Sequence, residues 1–258
     1  MSFLDGTLDD APLWLIGIAL FLALMLSFRL GLWLRGRGKH HDDRTDDEGY
    51  LLSAALALLG LLIAFTFSLA LNRYDSRRLL VVHEADAIST VWLRAGLADG
   101  KTGEALQRSI AHYADLRLRL PRSADQAEAA RIEAQSARLQ TLLWQDMKVE
   151  IATMPAPVAT TLISAMNEMF DIAAARKAER AAHIPSDVLL VLILCAAMSA
   201  TIIGYVLGST GRSHRTVTTI LFSLLTLALL LTLDLDRPWR GAIMVSQAPM
   251  IDMRAGLR

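Results

Sequence analysis

Four runs of apolar residues, at about 12–34, 51–71, 187–208 and 217–235, constrain this chain more than any motif in it. Each is near the ~20 residues that a helix needs to cross ~30 Å of hydrocarbon. Backbone amides at that depth have no water to bond, so each run is expected to be helical. The expected architecture is an all-α membrane protein. Its four transmembrane helices form two hairpins, within 1–71 and 186–235, with a helical extramembrane domain over 72–185 and a C-terminal tail over 236–258. The lipid bilayer is the first partner such a chain implies.

Charge supports that division. The chain carries 26 basic and 26 acidic residues, almost all outside the apolar runs, and its formal net charge is zero. A nucleic-acid partner would call for a basic bias, and none is present. Cys195 is the only cysteine, so no intrachain disulfide and no cysteine zinc site is expected. The segment before the first run holds Asp5, Asp9 and Asp10 and no Lys or Arg, which predicts a retained helix rather than a cleaved leader.

Helix signals refine the layout. Nothing stops the second apolar run at Leu71: glycine and proline are absent from there to Arg94, which predicts one helix over 50–94 that outruns the bilayer. Helices are expected over 104–120, ending at Pro121, and from Ser123 to about 153. In the latter case Ser123-Ala124-Asp125-Gln126 has capping-box spacing. Pro157 suits the first turn of another helix running to about 182. Strand-like alternation appears only at 242–245. Basic residues flanking the membrane are more numerous on the side of the middle domain, which favours a cytoplasmic position for it. The basic loop after the first helix argues the other way.

Three groups are candidates for function. On a helical wheel Thr66, Arg73, Arg77 and Glu84 fall within about 40° of one another. That face would line an aqueous path or subunit contact, or else be a solvated helix surface laced by ion pairs. At the end of the fourth run, Asp234, Asp236, Arg237 and Arg240 bracket Pro238. Ionisable groups at a membrane edge are expected to pair or to face water, and Arg73 or Arg77 would be the partners of the acids. Leu59, Ile63 and Phe67 recur every four residues beside Thr66, a spacing that serves lipid contact or packing, or stacked apolar rings around an axis. His83-Glu84-Ala85-Asp86 lacks the second His that a metalloprotease helix needs. No phosphate loop and no Gly-x-Ser-x-Gly elbow occurs either. No catalytic residue, metal or cofactor is expected, and an enzyme is not the expected reading.

Several longer motifs carry a resemblance. They are Ala64-Phe65-Thr66-Phe67-Ser68-Leu69, Asn72-Arg73-Tyr74-Asp75-Ser76-Arg77-Arg78, His83-Glu84-Ala85-Asp86-Ala87-Ile88-Ser89-Thr90, Gly204-Tyr205, 233–241 (Leu-Asp-Leu-Asp-Arg-Pro-Trp-Arg-Gly) and Val245-Ser246-Gln247. Over nearly its whole length the chain resembles the bestrophin-like family of mainly bacterial multi-pass membrane proteins, distantly similar to bestrophin anion channels. The resemblance implies a homo-oligomer, a pentamer in bestrophins, whose second helix lines a pore with an apolar neck and continues into a polar segment. Ile63 and Phe67, then Asn72, Tyr74 and Arg77, occupy comparable places. It also implies a bacterial inner membrane. The alternative is a non-conducting scaffold or sensor whose middle domain binds a protein partner.

Overall fold

The computed structural model describes residues 11–37, 45–98, 101–123, 125–208, 215–237 and 241–257. Its helices are α1 (Leu13–Arg37), α2 (Thr45–Ala95), α3 (Lys101–Arg119), α4 (Gln126–Ile151), α5 (Ala156–Ala181), α6 (Ser186–Leu207), α7 (Arg215–Asp236) and α8 (Ala248–Gly256), with one 3-10 turn, Leu120–Arg122, after α3. No strand occurs among the described residues, and 242–245 is irregular. Four helices, α1, α2, α6 and α7, are long and apolar enough to cross a membrane.

The uninterrupted second helix follows from its sequence. Residues 61–95 contain neither glycine nor proline, so no local feature breaks the hydrogen-bond ladder. Its 51 residues correspond to about 75 Å of helix, more than twice the hydrocarbon thickness. Proline sets other boundaries: Pro121 turns the chain out of α3, and Pro155 precedes α5. The cap of α4 differs from expectation. Asp125, not Ser123, is the N-cap, and its carboxylate accepts from the Glu128 amide at 2.7 Å. Ser123 instead bonds back to the Leu120 carbonyl. Both residues suit a cap; the 3-10 turn ending at Arg122 takes up Ser123 and leaves the role to Asp125.

The chain divides into two compact units, and α2 contributes to both. The first comprises Met1–Tyr74 and His183–Ile243. Its core joins Leu20 and Leu24 of α1, Leu59 of α2, Leu192 and Ala196 of α6, and Phe222 and Leu229 of α7. The α1 and α6 backbones touch where Gly31 meets Gly204. A Cβ on Gly31 would overlap the Thr201 carbonyl and lie 2.7 Å from the Tyr205 nitrogen; one on Gly204 would overlap the Phe28 carbonyl. Between apolar helices in lipid, such close approach through small residues supplies the dispersion contact that drives association.

The second unit comprises Asp75–Ala182 and Met244–Arg258. Its core gathers Val81, Ile88 and Val91 of α2, Ile110 and Tyr113 of α3, Leu143 and Met147 of α4, Met166 and Met169 of α5, and Met250 of α8. The segment expected only as a C-terminal tail therefore carries a helix, α8. Arg254 of α8 holds Asp115 of α3 through two hydrogen bonds, at 2.6 and 3.1 Å.

Candidate functional site

In the membrane half of α2, burial separates two faces. Leu59 is 2% exposed, Thr66 is buried, and Ile63 and Phe67 are half-buried, all packed into the interior of the first unit. The Thr66 hydroxyl donates to the Leu62 carbonyl at 2.7 Å, so it spends its donor on its own helix. Leu59 and Ile63 also line an apolar cavity of about 380 Å³ with Leu56, Gly60, Ser199 and Phe222. The opposite face carries Ala57, Leu61, Phe65, Ser68 and Asn72, all exposed; Leu61 is 52% and Phe65 65% accessible. The four sequence candidates thus point into the first unit, and four-residue spacing recurs on the outward face at Ala57, Leu61 and Phe65.

Further along α2, Arg73 and Tyr74 are half-buried and Asn72 is exposed. Arg77 is buried and donates to the Ala182 carbonyl at 3.1 Å and the Glu179 carbonyl at 3.5 Å, binding the carboxyl end of α5. A cation there also meets the negative end of the helix dipole. Asp75, Arg78 and Asp86, on the other side of the helix, are exposed.

At the end of α7 the acids tie down main chain. Asp234 is buried and accepts from the Ala242 amide at 2.8 Å and the Ile243 amide at 3.0 Å. The sequence expectation gave it a basic partner on α2; here its two oxygens go to backbone. The turn closes tightly enough that a Cβ on Gly241 would sit 2.6 Å from Asp234 Oδ1. Asp236, also buried, accepts from the Ile184 amide at 3.0 and 3.1 Å, with His183 Nδ1 at 3.8 Å. Arg237 donates to the Ala11 carbonyl at 2.8 Å. Arg240 lies outside the described residues.

The densest charge cluster lies in the second unit around Glu84, which is 0% exposed. One of its oxygens accepts from Arg117 Nε of α3 and the other from Arg176 Nη1 of α5. Arg176 reaches on to the Gln247 side-chain oxygen at 2.7 Å. Beside them Glu133 of α4 meets Arg180, Lys177 at 3.6 Å and Arg117 at 3.8 Å. Burial opposes ionisation of Glu84, but Arg117 and Arg176 outweigh it and hold the carboxyl below the usual carboxylate range. Burial, reinforced by the nearby charge of Arg117, pushes the Arg180 guanidinium down to about 10. Burial also raises the Tyr113 hydroxyl to about 12, so it stays protonated while accepting from Gln140 at 3.0 Å.

Glu84 was a sequence candidate; Arg117, Arg176, Arg180 and Glu133 were not, and Gln247 stood only within a quoted motif. A signal was present. Leu106, Ile110, Tyr113 and Ala114 form the buried stripe of α3, which Leu120 continues into the 3-10 turn, and Arg117 falls on it. Leu162, Met166, Met169 and Ala173 form that of α5, and Arg176 falls on it. An ion at an apolar stripe position needs a buried partner.

Fold and composition define an all-helical membrane protein with four bilayer-length helices. Residues 18–250 match the sequence model of the bestrophin-like domain, and the chain belongs to that family. Solved structures agree in fold. One variant of a bacterial bestrophin homologue from Klebsiella pneumoniae superposes with a TM-score of 0.72 at 14% identity, covering 96% of this chain and 97% of that one. A second variant gives 0.69 at 15% identity, over 93% and 97%. A structure described as a membrane protein gives 0.70 at 13% identity, over 95% and 97%. Among curated protein sequences no match is found.

Proposed function

We propose that the chain is the subunit of a homo-oligomeric anion channel in a bacterial inner membrane, with the outward face of α2 turned to the central axis. The apolar helices are its two hairpins, the helical middle region stands outside the bilayer, and no enzymatic role is assigned. The observation that carries this reading is the exposed stripe of Ala57, Leu61, Phe65, Ser68 and Asn72 on a helix of a bestrophin-like protein. Copies of α2 around an axis would stack Leu61 and Phe65 as apolar rings, the type of constriction that gates by dewetting, and set Asn72 beyond them. Family resemblance suggests five copies. Leu59, Ile63, Thr66 and Phe67, as interior packing, would support the helix that presents the rings.

Full-length protein reconstituted in vesicles tests the reading. Chloride flux is expected, together with a particle mass in detergent of several subunits. A monomer, or no flux for any anion at any potential, contradicts it. A second reading, a scaffold that binds a protein partner, draws on exposed Leu93, Leu97, Leu142 and Val149 in the second unit. Under that reading flux is absent and a polar substitution at these positions releases the partner.

A further inference from the structure

Among the described residues, the charge cluster in the second unit brings together more cations than carboxylates. Its interior holds three guanidinium groups, Arg117, Arg176 and Arg180, against two carboxylates, Glu84 and Glu133. Lys177 adds a fourth cation but is 67% exposed and hydrated. Both oxygens of Glu84 are used, and Glu133 is shared among Arg180, Arg117 and Lys177. Arg117 itself is 2% exposed, and its Nη2 is buried without an acceptor among the described residues. The carboxyl ends of α3 and α5, where these arginines sit, offset part of the surplus through their dipoles. They supply no acceptor to Nη2. A buried cation with unused N–H donors is costly, and a counter-charge is the direct remedy.

We propose that Arg117, flanked by Arg176 and Arg180, holds a small monovalent inorganic anion of chloride size in the second unit. A single nitrogen with two N–H donors suits a one-atom anion better than a tetrahedral oxyanion with four acceptor atoms. Such an anion offsets the surplus beside Glu84 and supplies the acceptor that Arg117 Nη2 lacks among the described residues. The ion thereby couples the stability of this unit to anion concentration. The proposal stands apart from conduction, because every residue in it belongs to the second unit.

The test is thermal unfolding of the full-length protein in detergent, with chloride exchanged for gluconate at constant ionic strength, and with bromide and phosphate as further arms. Wild type should show a saturable rise in unfolding temperature with chloride, reproduced by bromide but not by phosphate. Arg117→Lys keeps a cation facing Glu84 but removes Nη2, and should abolish the saturable response; Lys177→Gln should retain it. Equal stability in chloride and gluconate overturns the proposal, as does an unchanged response in Arg117→Lys or a response to phosphate alone. Should Arg117→Lys fail to fold, wild-type crystals grown in bromide decide: an anomalous peak beside Arg117 Nη2 supports the site, and its absence overturns it.

Discussion

The two halves of α2 use opposite means to bury one helix. In the first unit the helix is apolar on nearly every side, and its neighbours fit through dispersion contacts and glycine-to-backbone approach. In the second unit the same helix is amphipathic: Val81, Ala85, Ile88 and Val91 enter a core, and Glu84 enters with them on two arginine partners. Lipid offers no hydrophobic drive between apolar helices, so shape complementarity decides there. Outside the bilayer, where the proposed function puts the second unit, water does offer that drive, so a core can carry an ion provided the ion is paired. Different substitutions should therefore break the two halves.

The largest effect is expected from Gly204→Leu. Its side chain would enter the Phe28 carbonyl and separate α1 from α6. Loss of more than about 4 kcal/mol, read as failure to recover folded protein from membranes, is predicted. A variant that folds and melts like wild type would refute the close-packing half of the comparison.

Next is Glu84→Ala, which strands Arg117 and Arg176. Removing one partner of a buried ion pair costs about 3–5 kcal/mol, measurable as a lower unfolding temperature in detergent. Replacing all three ions with apolar residues of similar volume should recover much of that loss. Acid titration sharpens the point. In the folded state the Glu84 carboxyl is held below its ordinary value of 4.5, so its stabilising contribution is complete above that value and is lost as pH falls through the lower folded value. Stability of wild type should therefore drop on the acid side of pH 4.5, and that drop should shrink in the apolar triple variant.

Asp234→Ala should cost less, about 1–3 kcal/mol, because it leaves the amides of Ala242 and Ile243 without acceptors. Hydrogen exchange at those two amides is the readout, and unchanged protection would contradict the assignment. Smallest is Asp125→Ala, which removes the N-cap of α4 and should cost about 1 kcal/mol. Ser123→Ala should cost less than that; the reverse order would restore Ser123 as the cap.

What the sequence disclosed follows the same division. Apolar runs of bilayer length and the absence of glycine and proline from 61–95 make the four long helices readable, because these signals are local. The inward face of α2 was not readable in its membrane half. Where Leu58, Leu59, Leu61, Leu62 and Ile63 follow one another, no polarity contrast marks which side packs, and only tertiary contact separates Leu59 from Leu61. The Glu84 cluster was half readable: charges stand on apolar stripes, but pairing Glu84 with Arg117 and Arg176 needs contacts 33 and 92 residues apart. α8 was missed for a related reason. It has only nine residues, and its anchors, Met250 in the core and Arg254 on Asp115, lie far away in sequence.

The axis-facing role of the outward stripe on α2 is open to direct measurement. In a Cys195→Ser background, Phe65→Cys and Phe67→Cys are compared for block of chloride flux by a membrane-impermeant thiol reagent. Rapid block at position 65 and none at position 67 is the predicted result; block at 67 with none at 65 would contradict the account.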